Sequence, residues 1–178
     1  TYTATSTGMA YTGITNGYQF TFTPQATITD GKHNITINAS DNDGNAATAV
    51  TASFTVDTVP PTLTVSSPTT GAITNKSAAT VSGKTNDATS SPVSVTITLN
   101  GASVGSVTVG TDGSFSKAIT LAEGENNIVV TAKDGAGKTS SVTIKVKLDT
   151  TVPKLNSVTL APNPTNVSTS VAITVEVS

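Results

Sequence analysis

Apolar and polar residues alternate along most of this chain with a period of two. In its middle the alternation falls into seven short runs, at residues 62–65, 78–81, 93–99, 104–109, 115–121, 128–132 and 142–148. A period of two sends successive side chains to opposite faces of an extended backbone. Each run therefore predicts a strand with one apolar and one polar face. Turn chemistry separates the runs. Asn100-Gly101 predicts a tight hairpin, because Gly takes positive φ without steric cost, and Asp112-Gly113 predicts a second turn. Short alternating strands divided by frequent turns predict an all-β fold, a sandwich of two antiparallel sheets.

The same text then occurs twice. DGKHNITINASDNDGN at residues 30–45 falls on EGENNIVVTAKDGAGK at 123–138, an offset of 93 that sets Asn34 on Asn127, Ile35 on Ile128 and Asp41 on Asp134. After a one-residue slip, Asp57-Thr58 falls on Asp149-Thr150, 92 positions on. Self-similarity at a fixed interval of this size marks an array of small domains. The pattern predicts a partial module at residues 1–58, a complete seven-stranded module at 59–149, and the first strands of a further module at 150–178. Pro60-Pro61 and Pro153 follow the two Asp-Thr pairs. Proline fixes its own φ and pushes the preceding residue toward extended geometry, so each joint is expected to be stiff.

Composition agrees with the pattern. Thr, Ser, Val, Ala, Gly and Asn dominate, which favours strands and turns over helices. The chain has no Cys, which removes disulfides, thiolate metal sites and thiol catalysis. Net charge is −2, and the nine Lys and Arg are scattered rather than gathered on one stretch, so a nucleic-acid partner is not expected. No run approaches the roughly 18 apolar residues of a membrane span, so none is expected in this stretch. No leader is expected either.

The run from Asp30-Gly31 through Asn34, Ile35, Ala39, Asp41 and Gly44-Asn45, ending in Asp57-Thr58-Val59-Pro60, resembles the bacterial immunoglobulin-like repeat families of cell-surface and adhesin proteins. The resemblance covers essentially the whole chain. It implies tandem immunoglobulin-like (Ig-like) sandwiches, an extracellular or cell-surface location, and neighbouring modules of the same or an identical chain as partners. It also implies a non-catalytic spacer. Two alternatives stand beside that role: an adhesin domain that binds carbohydrate or a surface receptor, and an accessory domain of a secreted polysaccharide-degrading enzyme. The ligand-binding residues of either are unknown.

Candidate chemistry is sparse. His33, the only histidine, has no nucleophile motif near it, and no G-x-S-x-G, Walker A or H-E-x-x-H pattern occurs, so no catalytic residue is assigned and no cofactor is required. Asp41 and Asp43, in DNDGN, open like a calcium loop but lack its later Glu. With Asp57, Asp134 and Asp149 they are the candidate Ca²⁺ ligands at the module junctions. The alternative is that Asp41 and Asp134 simply cap turns through neighbouring backbone N–H groups. Asn34, Asn38, Asn75 and Asn166 head N-x-S/T sequons and are candidate glycosylation sites. Tyr2, Tyr11, Tyr18 and Phe20 offer either an aromatic platform for sugars or core filling. The two partial modules together make nearly one repeat. Either the C-terminal strands of one chain complete the N-terminal partial module of the next, in a head-to-tail filament, or both are incomplete pieces of an array.

Overall fold

The structure is a computed structural model that describes residues 10–14, 17–21, 27–40, 43–161 and 172–177. Its strands, in chain order, are β1 (Ala10–Ile14), β2 (Gly17–Thr21), β3 (Gly31–Ile37), β4 (Val50–Val56), β5 (Thr62–Ser67), β6 (Ala72–Thr74) and β7 (Ala78–Asn86). They continue with β8 (Ser94–Leu99), β9 (Ala102–Ser103), β10 (Ser114–Thr120), β11 (Gly124–Lys133), β12 (Thr139–Leu148), β13 (Leu155–Ala161) and β14 (Ala172–Val177). There is no helix among the described residues. The fold is all-β, a β-sandwich of the Ig-like kind.

The sandwich lies between β5 and β12. One sheet has the order β10-β7-β5, and the other has the order β6-β12-β11-β8-β9. Period two becomes burial here. On β8, Val95 and Ile97 point inward; on β11, Ile128, Val130 and Ala132; on β12, Ile144, Val146 and Leu148. They meet Val81 of β7 with Phe115 and Ile119 of β10 across the interior. Burying one large aliphatic side chain is worth about 1.5–3 kcal/mol, so this apolar layer is the main stabilising term.

The smaller sheet needs a gap at one position of its middle strand. Gly83 of β7 sits in register with both Val65 of β5 and Phe115 of β10. A methyl group there would lie 2.1 Å from the carbonyl oxygen of Thr64 and 2.7 Å from the Phe115 ring, so the ring occupies the space a side chain would fill. The expected hairpin at Asn100-Gly101 forms, with φ of 51° and 84°, and joins β8 to β9.

Two local expectations are corrected. Residues 104–109 do not form a strand; Gly105, at φ 86°, turns the chain out of extended geometry, and only Val109 bridges to Phe115. Conversely, β6 was not foreseen. Its three residues run parallel to Val146–Leu148 of β12, too short a piece to show a period.

One buried polar residue anchors the loops at one end of the sandwich. Asn126 of β11 has no exposed surface. Its Oδ1 accepts from the Ala122 N–H at 2.9 Å and from Asn100 Nδ2 at 3.2 Å. Its Nδ2 donates to the carbonyls of Ala122 at 2.7 Å and Gly124 at 3.1 Å. The side chain thus takes the place of backbone pairing where two turns meet.

β1–β2, β3–β4 and β13–β14 form separate antiparallel hairpins. On β3–β4, Ile35, Ile37 and Val50 are exposed, and so are Val158, Leu160, Ile173 and Val175 on β13–β14.

Asn126→Ala leaves buried donors and acceptors without partners, and its expected cost is about 2–3 kcal/mol. Gly83→Ala forces a methyl against the Thr64 carbonyl oxygen and the Phe115 ring, at an expected cost of about 1–3 kcal/mol. Urea unfolding of each variant against the parent chain measures both; a change below about 0.5 kcal/mol in either would contradict the packing described.

Candidate functional site

The repeated Asp-Thr pair has the same structural task both times. Asp57 Oδ1 accepts the Val59 N–H at 3.1 Å, and Asp149 Oδ1 accepts the Thr151 N–H at 3.2 Å. Each aspartate therefore turns the chain as it leaves a last strand, using its own side chain as the acceptor. The threonine that follows clasps the acidic residue that precedes the penultimate strand. Thr58 gives its N–H to Asp30 Oδ1 at 3.0 Å and its hydroxyl to the same oxygen at 2.9 Å. Thr150 gives its N–H to Glu123 Oε1 at 3.2 Å and its hydroxyl to Oε2 at 2.7 Å. The paired text at Asp30-Gly31 and Glu123-Gly124 thus meets the paired text at Asp-Thr.

The site with concentrated chemistry lies at the first of these joints. Carboxylate oxygens of Asp57, Asp87 and Asp134, one from each, all lie within 4.8 Å of one another. Three separate pieces of chain supply them. Asp57 follows β4, before Pro60-Pro61; Asp87 follows β7, and Asp134 follows β11. Asp87 is 9% exposed and Asp134 6%, while Asp57 is half-buried.

Loop backbone holds the carboxylates in place. Asp87 Oδ1 accepts the N–H groups of Thr89 and Ser90, both at 2.8 Å. The Ser90 hydroxyl donates to Asp57 Oδ2. Asp134 Oδ1 accepts the Lys138 N–H at 2.8 Å, and the Gly135 N–H donates to the Ser90 carbonyl at 3.0 Å. Asp134 Oδ2 is buried and has no hydrogen-bond partner among the described residues. The Ser140 hydroxyl donates to the carbonyl of the buried Pro61 at 2.6 Å.

The sequence-stated candidates separate in space. Asp57 and Asp134 come together, Asp149 and Asp43 stand outside the group, and Asp41 lies outside the described residues. Asp87 was missed, as was Ser90, which links Asp57 to the Asp87 loop. Repeat comparison had no second copy of Asp87 to align, since positions 93 before it and 92 after it both fall outside residues 1–178. Turn-capping by Asp134 is present, but it occupies one oxygen only. His33 bonds the Thr29 carbonyl at 2.7 Å and stacks on Phe54 at 5.5 Å. Asn34, Asn38 and Asn75 are exposed; Asn166 and Tyr2 lie outside the described residues, as do the side chains of Tyr11, Tyr18 and Phe20.

Residues 61–150 match the family model described as glucodextranase, domain B, and residues 2–58 match that of a bacterial Ig-like domain. The resemblance read from the sequence is therefore met at its own residues. No curated protein matches the chain. Among solved structures, the fibronectin(III)-like modules of Clostridium thermocellum CbhA are similar at 19% identity and a TM-score of 0.44, over 68% of this chain and 64% of that one. A tetra-tandem repeat from the extending region of a large adhesion protein is similar at 23% identity and a TM-score of 0.46, over 83% of this chain and 45% of that one. An engineered protein is similar at 23% identity and a TM-score of 0.39, over 50% of this chain and 20% of that one. The chain spans less than two thirds of the length of each.

Asp149 gives this geometry a pH signature. The Thr151 hydroxyl and N–H, with Lys147 Nζ at 3.3 Å, hold its carboxyl below the usual carboxylate range. The contribution is present above the ordinary Asp pKa and is lost as pH falls through the lowered folded-state value. Thr151→Val should raise the Asp149 pKa toward its ordinary value, read from the side-chain carboxyl ¹³C shift during an acid titration. An unchanged midpoint would refute the assigned bond.

Proposed function

We propose, for a chain that belongs to the family of glucodextranase domain B, a non-catalytic structural role as a length of tandem Ig-like sandwiches in an extracellular, repetitive surface protein. The observation that carries this reading is the joint between β4 and β5. On one side Thr58 is fastened to Asp30 ahead of β3; on the other, Pro61 is buried and bonded to Ser140 of β12. Between these anchors stands Pro60, with its φ fixed by its ring, followed directly by Pro61. A segment tied at both ends and stiff between them acts as a strut. Such joints suit a protein that must hold something at a set distance.

Other observations support the same role. The match of residues 2–58 to a bacterial Ig-like domain favours a surface location. The apolar face of β3–β4 corresponds in the repeat to the face of β11–β12 that the central sandwich buries. A neighbouring module, from this chain or an identical one, is the partner whose inner face has the matching pattern. A second reading rests on the match at residues 61–150: an accessory module of a polysaccharide-degrading protein.

Small-angle scattering tests the strut. The parent chain is expected to give one extended, narrow distance distribution, and the double change Pro60→Gly with Pro61→Gly is expected to broaden it and shorten its mean. Identical profiles would remove the joint as the basis of the reading. Titration with a panel of soluble glucans separates the second reading, since a spacer gives no saturable signal and an accessory module saturates in the millimolar range or below.

A further inference from the structure

The geometry points to a calcium site formed by Asp57, Asp87 and Asp134 at the joint between β4 and β5. Three observations lead there. The first is distance: the three carboxylates place oxygens within 4.8 Å of one another. Calcium binds oxygens at 2.3–2.6 Å, so ligands on opposite sides of one ion stand roughly 4.6–5.2 Å apart. The three groups are therefore close enough together to share one ion.

The second is the state of Asp134. A carboxylate that serves only to cap a turn needs one oxygen, and Asp134 Oδ1 does this for the Lys138 N–H. Its other oxygen is buried, without a hydrogen-bond partner, on a residue only 6% exposed. An ionised oxygen taken from water with no partner costs several kcal/mol, and a cation removes that cost.

The third is charge. Three carboxylates this close repel one another, and burial strengthens the repulsion. Among the described residues the ion pairs lie elsewhere, at Lys84–Asp112, Lys145–Glu125 and Lys147–Asp149. The backbone N–H groups on Asp57, Asp87 and Asp134 orient the carboxylates and bring no full positive charge. A divalent cation does.

The ligand chemistry selects the ion. The donors are all carboxylate oxygens, with neither His nor Cys, which disfavours zinc, copper and nickel. Magnesium demands near-ideal octahedral geometry and usually takes only one or two carboxylates. Three carboxylates contributed by three loops suit calcium, which completes its shell with water or carbonyl oxygens. The ion would tie the end of β4 to the loops that follow β7 and β11. The site stands on its own residues and does not depend on the spacer reading, because ion binding and array geometry are measured separately.

The test titrates Ca²⁺ alone into the full 178-residue chain, freed of metal with chelator, by calorimetry and by thermal melting, with Mg²⁺ in parallel. Expected are a Kd of about 10⁻⁴–10⁻³ M, as in other extracellular modules, and a melting temperature raised by about 5 °C at 10 mM Ca²⁺. Magnesium should do markedly less. Asp134→Asn keeps the oxygen that caps Lys138 and should weaken binding at least tenfold; Asp87→Asn should do the same, and Asp149→Asn should leave it unchanged. No heat and no change in melting at 10 mM would overturn the site, as would full binding in both Asp87→Asn and Asp134→Asn. If those variants fail to fold, carboxyl ¹³C shifts of the parent chain decide. Ca²⁺-dependent shifts at Asp57, Asp87 and Asp134 uphold the site, and shifts confined to other carboxylates overturn it.

Discussion

The central strand of the larger sheet, β11, is the constraint on which the rest depends. It pairs with β12 on one edge and β8 on the other, and Ile128, Val130 and Ala132 on its inner face are completely buried. Its ten residues at about 3.4 Å each make a rod of roughly 34 Å. Both ends carry joint chemistry. Ahead of it, Glu123 holds Thr150 of the following joint; beyond it, Asp134 meets Asp57 of the preceding one.

This arrangement explains why a chain of small β-branched residues repeats an acidic-threonine vocabulary. The apolar core secures the inner faces of the strands but does not fix where the chain goes on leaving them. End fixation falls to short polar residues that hydrogen-bond locally. Asp57 and Asp149 cap their own exits, Thr58 and Thr150 reach back to Asp30 and Glu123, and Asn126 fills the turn corner. Each such bond is modest alone, about 0.5–1.5 kcal/mol net, but each removes a way for the strand end to fray.

Much of the fold could be read directly from the sequence, because period-two alternation and burial are the same fact seen twice. Val95 and Ile97 or Ile144 and Val146 are inward for the reason their spacing states. The reading failed where no period operates. β6 is three residues long, and its parallel pairing with β12 depends on tertiary position. Residues 104–109 alternate convincingly, yet Gly105 breaks their extension. The candidate site was half legible. Asp57 and Asp134 stood out because each has a copy one interval away. Asp87 has none within these residues, and nothing local distinguishes TNDATS from an ordinary turn. Its meaning comes from the fold, which brings the end of β7 against the loop after β11.

The cluster also differs from the arrangement the repeat suggests. Alignment pairs Asp41 with Asp134 and Asp57 with Asp149, which reads as two acidic residues belonging to one unit. In space, Asp57 from before the prolines meets Asp87 and Asp134 from after them, so the group is complete only across a joint. Stability in a linear array is approximately a sum of what each unit contributes and what each interface adds. A site divided in this way places its contribution wholly in the interface. Ordering the chain on one side of the joint then favours ordering it on the other.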